Sequence, residues 1–160
     1  MRTSTSIAAA VVFALSAGLA QAQDGTATGT FTVNGKAAKL AYAYAVADGN
    51  RVRVTVSDVK LTPAQLEFPF GLQRARKAGQ VHAVVAELDA ATKKVINTML
   101  YDKAFTSDLV SIAGVSNKFD GTLDKKTASG KLYRSEPGDA DKMKYDFNVT
   151  FSAPIKGAGK

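Results

Sequence analysis

The chain contains no cysteine and no tryptophan, and it has a single histidine. Without cysteine it forms neither the disulfide bonds nor the thiolate zinc sites that stabilise many small exported domains, and thiol chemistry is excluded. One imidazole, that of His82, cannot build a multi-histidine metal centre, and we expect a structural histidine near the start of a strand. The sequence therefore predicts no cofactor and no bound metal.

Motifs that carry a known chemistry are also missing. No Gly-x-Ser-x-Gly elbow, no Gly-x-Gly-x-x-Gly and no phosphate loop occurs. Asp139 and Asp141 resemble the start of a calcium loop, but Lys144 stands at the sixth position, where that loop requires glycine, and Thr150 stands at the twelfth, where it requires glutamate. We expect a solvated turn there. The sequence predicts no catalytic residues and a protein that is not an enzyme.

The first residues have the three-part pattern of a secretory signal peptide. Arg2 supplies the positive charge, residues 7–19 form an apolar run, and residues 20–22 are a small-residue cleavage site, Ala-Gln-Ala. The run is shorter than the roughly 20 apolar residues that span a bilayer, so no stable membrane insertion is expected. We predict cleavage after Ala22 and release into a bacterial periplasm or the exterior.

The rest of the chain is predicted to form a single β domain over residues 23–155, followed by a flexible tail over residues 156–160. The formal net charge of the full chain is +7. Its lysines are spread through turns and strand exteriors and form no single stripe, which is typical of a solvated surface. No nucleic-acid partner is predicted.

A central strand is expected over residues 40–46, which read Leu-Ala-Tyr-Ala-Tyr-Ala-Val. Strict alternation places three alanines on one face and the larger side chains, Leu40, Tyr42, Tyr44 and Val46, on the other. Both faces are apolar, so the strand is stable only where another layer covers each side.

Short alternating segments around this strand predict an all-β fold. Asn34-Gly35 predicts a tight type I′ hairpin, and the valines of residues 51–57 alternate with polar residues such as Thr55, which are expected to face solvent. Further strands are expected over residues 30–33, 81–88, 95–101, 109–115, 119–124, 129–134 and 145–152. Pro154 is expected to end the last one. About eight or nine strands with little helix predict an antiparallel two-sheet sandwich, with a closed β-barrel as the alternative.

One helical insertion interrupts the strands near residues 62–79. Thr62, Pro63 and Gln65 form a helix-capping pattern, and Gly79 suits the end of a second short helix. Loops presented by a rigid scaffold often make functional contacts, so the apolar and basic residues of this insertion are a candidate contact surface. They are Phe68, Phe70, Leu72, Arg74, Arg76 and Lys77. The alternative is that the apolar members plug one end of the sandwich while the cations decorate the helix.

Several segments together resemble small exported bacterial proteins of uncharacterised function. They are the signal peptide, Gly-Thr-Phe-Thr-Val-Asn-Gly-Lys, Ala-Tyr-Ala-Tyr, a Leu-Thr-Pro break, Phe-Asp-Gly-Thr-Leu-Asp and the closing Phe-Ser-Ala-Pro-Ile. The resemblance implies no activity. We expect a non-enzymatic binding or accessory module for an envelope or exported protein. The alternative is a β-barrel that carries an apolar or anionic small molecule, lined by some of the strand aromatics, Phe31, Tyr42, Tyr44, Phe147 and Phe151.

Overall fold

The computed structural model describes residues 24–67 and 70–157, so the predicted signal peptide and Phe68 lie outside the described residues. Within those two ranges the chain forms ten strands, one 3-10 helix and one short α-helix. The all-β prediction is confirmed. No helix in the described ranges is long and apolar enough to cross a membrane.

The strands, in chain order, are β1 (Gly25–Val33), β2 (Lys36–Asp48), β3 (Arg51–Ser57), β4 (Ala83–Asp89), β5 (Val95–Tyr101), β6 (Val110–Ile112), β7 (Asn117–Leu123), β8 (Thr127–Arg134), β9 (Gly138–Ala140) and β10 (Met143–Gly157). Between β3 and β4, the predicted insertion contains a 3-10 helix (Ala64–Leu66) and α1 (Gln73–Lys77).

These strands belong to one curled sheet that forms a half-barrel. The order across it is β6-β5-β4-β3-β2-β1-β10-β8-β7, with β9 paired to β10. Neighbouring strands are antiparallel, except that the last residues of β10 pair in parallel with β2 beyond the start of β1. The predicted hairpin before β2 is confirmed, since Asn34 and Gly35 have φ values of 47° and 77°.

β10 does not end at Pro154, which corrects the sequence prediction. Pro154 is paired with Thr127 of β8, and Ile155 donates its N–H to the Lys126 carbonyl at 2.6 Å. The nitrogen of Pro154 therefore faces the other side. β1 does not reach this far, because its first residue is Gly25. A proline there removes no ladder hydrogen bond, so the strand continues into the residues predicted to be a tail.

The predicted alternation along β2 is wrong at its centre. Leu40 lies in the inner core together with Ala43 and Ala45, whereas Tyr44 faces the outside of the sheet. The change of face coincides with a shift in the β1–β2 register. An irregularity of this kind reverses which side chains point inward, and periodicity alone does not reveal it.

Side chains fill the concave side of the sheet. Phe31 and Phe147 are almost completely buried there, and Phe151 belongs to the same buried cluster, together with valines of β3 and β10. Three of the five predicted lining aromatics are therefore residues of a packed inner core.

The outside of β2–β5 is covered by the insertion. The side chains packed together here, named the outer cluster, are Tyr44, Leu61, Leu72, Ala75, Val81, Ala83, Val85, Met99 and Tyr101. The Tyr44 hydroxyl accepts the Leu61 N–H at 2.8 Å and so ties the insertion to β2. Thr55 is only 6% exposed, so the prediction that it faces solvent is wrong: the insertion covers this face.

Local hydrogen bonds explain where the insertion turns. Thr62 and Gln65 form the predicted capping box, in which the Gln65 side chain accepts the Thr62 N–H at 2.9 Å and Thr62 Oγ1 accepts the Gln65 N–H at 3.3 Å. After α1, Gly79 adopts a φ of 69° and donates to the Arg76 carbonyl, while Gln80 donates to the Ala75 carbonyl. This is a Schellman ending, and it confirms the role predicted for Gly79.

Candidate functional site

The structure divides the predicted contact surface between solvent and interior. Phe70 is 70% exposed, and Arg74 and Lys77 are also exposed. Leu72, in contrast, is buried in the outer cluster. Phe68 lies outside the described residues. The contact surface stays a prediction for its three exposed members.

Arg76 is the basic residue that sequence reasoning placed on the wrong side. It is 2% exposed, and its Nη1 donates to the Phe105 carbonyl at 2.9 Å, while its Nε is buried without a hydrogen-bond partner among the described residues. Nearby, Lys77 Nζ lies 2.7 Å from Asp108 and lowers the pKa of that carboxyl group. Arg76 therefore joins α1 to the segment after β5 and is not available to a partner.

Asp141 also has a structural task. Its carboxylate accepts the N–H of Ser107 at 2.8 Å, the hydroxyls of Ser107 and Thr106 at 2.9 Å, and the N–H of Thr106. These hydrogen bonds, the Ser107 N–H first, lower the pKa of Asp141 to about 2. The residue expected in a solvated turn thus locks the β9–β10 turn onto the loop before β6. Its neighbour Asp139 forms an exposed ion pair with Lys144.

At one place two strand edges of the sheet lie side by side without pairing. β6 covers only the second half of β5, beginning opposite Thr98, and β7 lies beside the first half. Asn117 Nδ2 donates to Thr98 Oγ1 at 3.0 Å at one end of this gap, and Lys93 Nζ lies 3.5 Å from the Gly121 carbonyl at the other. No backbone hydrogen bond joins β5 to β7 within the described ranges. We call this opening, between residues 93–98 and 114–121, the seam cleft.

A partly buried polar network fixes the Asn117 end of the seam cleft. Arg134 Nη1 donates to Asn117 Oδ1 at 2.6 Å and to the Tyr145 hydroxyl at 2.7 Å, and the guanidinium lies 4.7 Å from the centroid of the Tyr145 ring. Burial raises the pKa of Tyr145, and the charge of Arg134 partly opposes this. Charge-assisted hydrogen bonds are the strong ones, so β10, β8, β7 and β5 are tied together here.

The opposite rim is a tightly bonded turn. Asp89 accepts the N–H groups of Ala91 and Thr92, at 3.0 and 2.7 Å, and the Thr92 hydroxyl at 2.9 Å. These bonds, those from Thr92 first, lower the pKa of Asp89 and keep it ionised. Lys93 then takes a φ of 60°, in the left-handed region, which ends the turn. The sequence thus holds Lys93 and Lys94 at the mouth of the seam cleft.

The seam cleft has an apolar floor and a cationic rim. Its volume is about 570 Å³, and its apolar and basic lining residues are Val95, Val115, Phe119, Lys93, Lys94 and Lys118. Val115 is 83% exposed, whereas Val95 and Phe119 pack against the inner core. No carboxylate is among the described residues that line it. A cleft of this size suits a small ligand, and this lining suits one with an anionic group and an apolar part.

Sequence reasoning missed the seam cleft. It predicted separate strands over residues 95–101 and 119–124, and nothing in their spacing joins the two segments. The one available signal is the pair Lys93-Lys94 directly before an apolar strand start. Which edges stay unpaired depends on how far the sheet curls, and no local pattern encodes that.

No protein-family model, curated protein or solved structure matches this chain. Among the residues that the structure describes, no group of three or more histidine and acidic side chains is placed to hold a metal ion. The chemistry of the seam cleft is therefore the basis for a functional proposal.

Proposed function

We propose that the chain is a non-enzymatic binding module that holds an amphipathic anion, such as an alkyl carboxylate, in the seam cleft. One observation carries this proposal: a cleft of about 570 Å³ combines three lysines with the apolar side chains of Val95, Val115 and Phe119. The apolar part of the ligand covers surface that would otherwise meet water, and the lysines supply donors to its anionic group.

We further propose that the curled sheet is a barrel left open along one side. It is supported by the Asn117–Thr98 hydrogen bond, which joins β7, at one end of the sheet order, to β5, the second strand from the other end. In such a barrel the ligand binds at the seam, because core residues such as Phe31 and Phe147 fill the interior. This differs from a carrier with a central cavity and from a two-layer sandwich.

The apolar residues and the lysines of the seam cleft are expected to contribute different amounts of binding free energy. Each methylene removed from water contributes about 0.8 kcal/mol, whereas an exposed ion pair contributes about 0–1 kcal/mol. Lys93 and Lys118 are exposed, and salt screens their charges over about 8 Å at physiological ionic strength. We therefore expect the alkyl length to set the affinity and the lysines to select the sign of the ligand charge.

Isothermal titration with three ligands tests this site. Octanoate should bind, heptyltrimethylammonium, which has the same alkyl chain and the opposite charge, should bind much more weakly, and acetate should not bind. Lys93→Glu combined with Lys118→Glu should lower octanoate affinity about tenfold or more, since it replaces attraction by repulsion.

The matched control for the charge change is Lys39→Glu with Lys125→Glu. Both lysines are exposed and lie away from the seam cleft. This control has the same net charge as the seam variant and should retain octanoate affinity. Equal binding of the anionic and cationic ligands, or an equal loss in both double variants, would contradict the proposal.

Export is a separate part of the proposal. The N-terminal pattern predicts cleavage after Ala22, and β1 begins shortly after that position, at Gly25. N-terminal sequencing of protein from a periplasmic extract should return Gln23. A sequence that starts at Met1, or recovery only in the membrane fraction, counts against export.

A second candidate function rests on the exposed part of the insertion. Phe70 is 70% exposed beside the exposed Arg74 and Lys77, a combination suited to an acidic envelope partner or an anionic membrane surface. Co-sedimentation with phosphatidylglycerol vesicles tests the membrane case. Phe70→Ala with Arg74→Glu should abolish sedimentation, and salt should weaken that of the wild type. Sedimentation that survives both changes would remove this surface from consideration.

A further inference from the structure

His82 lies at the opposite end of β4 from the seam cleft, and Asp58 holds its ring from one side. Asp58 Oδ2 is 2.7 Å from His82 Nδ1, and Asp58 Oδ1 accepts the His82 backbone N–H at 2.8 Å. Because a carboxylate only accepts, Nδ1 carries a proton, and in the neutral ring the lone pair is on Nε2. Asp58 thus fixes both the orientation and the tautomer of the imidazole.

On the other side of the ring, Nε2 faces a second carboxylate. The distance from Nε2 to Asp102 Oδ2 is 3.5 Å, longer than a usual hydrogen bond, while Asp102 Oδ1 accepts the Ala104 N–H at 2.7 Å. With the ring neutral, Nε2 and Oδ2 are two acceptors that face each other. A ligand group with several N–H donors satisfies both, and a primary ammonium has three.

This pair of acceptors opens into a cavity of about 460 Å³ that carries both signs of charge. Lys36 and Lys103 line it together with Asp58 and Asp102, and alanines and Val33 form its apolar wall. The side chains of His82 and Asp102 are 30% and 13% exposed, so a ligand in the cavity reaches them. A molecule with one cationic and one anionic group matches this arrangement better than one with a single charge.

We infer that this cavity binds a small zwitterion, such as a free amino acid. Its ammonium donates to His82 Nε2 and Asp102 Oδ2, and its anionic group is stabilised by Lys36 and Lys103. Because the cavity and the seam cleft share no lining residues, this site is independent of the amphipathic-anion site.

The sole histidine of the chain makes the test selective, because its ring signals in a ¹H–¹³C NMR spectrum report on this cavity alone. L-Alanine and phosphoethanolamine serve as zwitterionic probes at constant pH. At least one of them should shift the ring signals saturably at millimolar concentration. Ethylamine, which has only the ammonium, should act more weakly, and propionate, which has only the carboxylate, should leave the signals unchanged.

Two variants control the assignment. Asp102→Asn removes a charged acceptor from the cavity and should abolish the saturable shift. Asp120→Asn makes the same charge change on the exposed side of β7, away from the cavity, and should retain it. The inference is overturned if neither zwitterion shifts the His82 signals, if propionate acts as strongly as the zwitterion that binds, or if Asp102→Asn responds to that zwitterion as the wild type does.

Discussion

The outside of β2–β5 and the seam cleft are both apolar regions at the surface of the sheet, and the chain treats them differently. The insertion covers the first region, where its residues Leu61, Leu72 and Ala75 bury Tyr44 and its neighbours. Over the second no described segment lies, Val115 stays 83% exposed, and lysines stand around the opening. An apolar surface that the fold leaves open and rims with one sign of charge is expected to be a binding site.

Removing the anchor of the covered region should have the largest effect on stability. Tyr44→Ala deletes a buried ring and the acceptor of the Leu61 N–H, so we expect the free energy of unfolding to fall by about 3–5 kcal/mol. Val115→Ala, at the open region, should change it by less than about 0.5 kcal/mol. Urea denaturation of both variants measures the difference, and equal midpoints would show that the two regions do not differ in packing.

Two arginines on α1 sharpen the same comparison. Arg76→Glu places a buried carboxylate against the Phe105 carbonyl, and we expect a loss of about 2–3 kcal/mol. Arg74→Glu is exposed and should cost less than about 0.5 kcal/mol. Thermal unfolding monitored by circular dichroism gives both values. A mild effect of Arg76→Glu would mean that the insertion is less tightly packed than described.

A substitution at the Asn117 end of the seam cleft should have a smaller effect on stability. Asn117→Ala leaves Thr98 and Arg134 each without one hydrogen-bond partner, so a loss of about 1–2 kcal/mol is expected. Ser111→Ala, which removes an exposed hydrogen bond to Asn97, is the control and should be nearly neutral. Hydrogen exchange of β7 amides should also quicken in Asn117→Ala. Unchanged exchange there would show that this network does not hold the seam.

The smallest effect is expected at Asp141, and it should depend on pH. The pKa of Asp141 is lowered from 3.8 to about 2, so its stabilising effect is fully present above about pH 4 and is lost as the pH falls toward about 2. Asp141→Asn should therefore lower Tm at pH 6, and the gap from the wild type should close by about pH 2. A gap that does not change with pH would argue against the hydrogen bonds to Thr106 and Ser107.

Much of the fold could be predicted because its signals are local. Asn34-Gly35 needs only its own left-handed conformations to make a hairpin, and the capping box of Thr62 and Gln65 closes within one turn. The faces of β2 could not be predicted, since the register shift near Tyr42 depends on its partner strand. The prediction for Thr55 failed for a related reason, because its burial depends on how the insertion folds back over β3, and the alternation of residues along β3 does not show this.

The candidate site was harder to predict from the sequence than the fold. Basic residues could be found in the insertion, but whether Arg76 or Arg74 faces solvent depends on how a five-residue helix packs. The seam cleft depends on three separate facts: the short β6, the curl of the sheet, and the rim turn that Asp89 stabilises. The rim turn is local, but the other two follow from contacts between segments, so no single stretch of sequence carries the site.

The most direct test of the open seam as a binding site is an amide NMR titration of the protein with octanoate. We predict saturable chemical-shift changes confined to residues 92–95 and 114–119, with the Phe70 and Arg74 amides unmoved. Changes centred on the insertion, or no saturable change at any amide, would contradict the account.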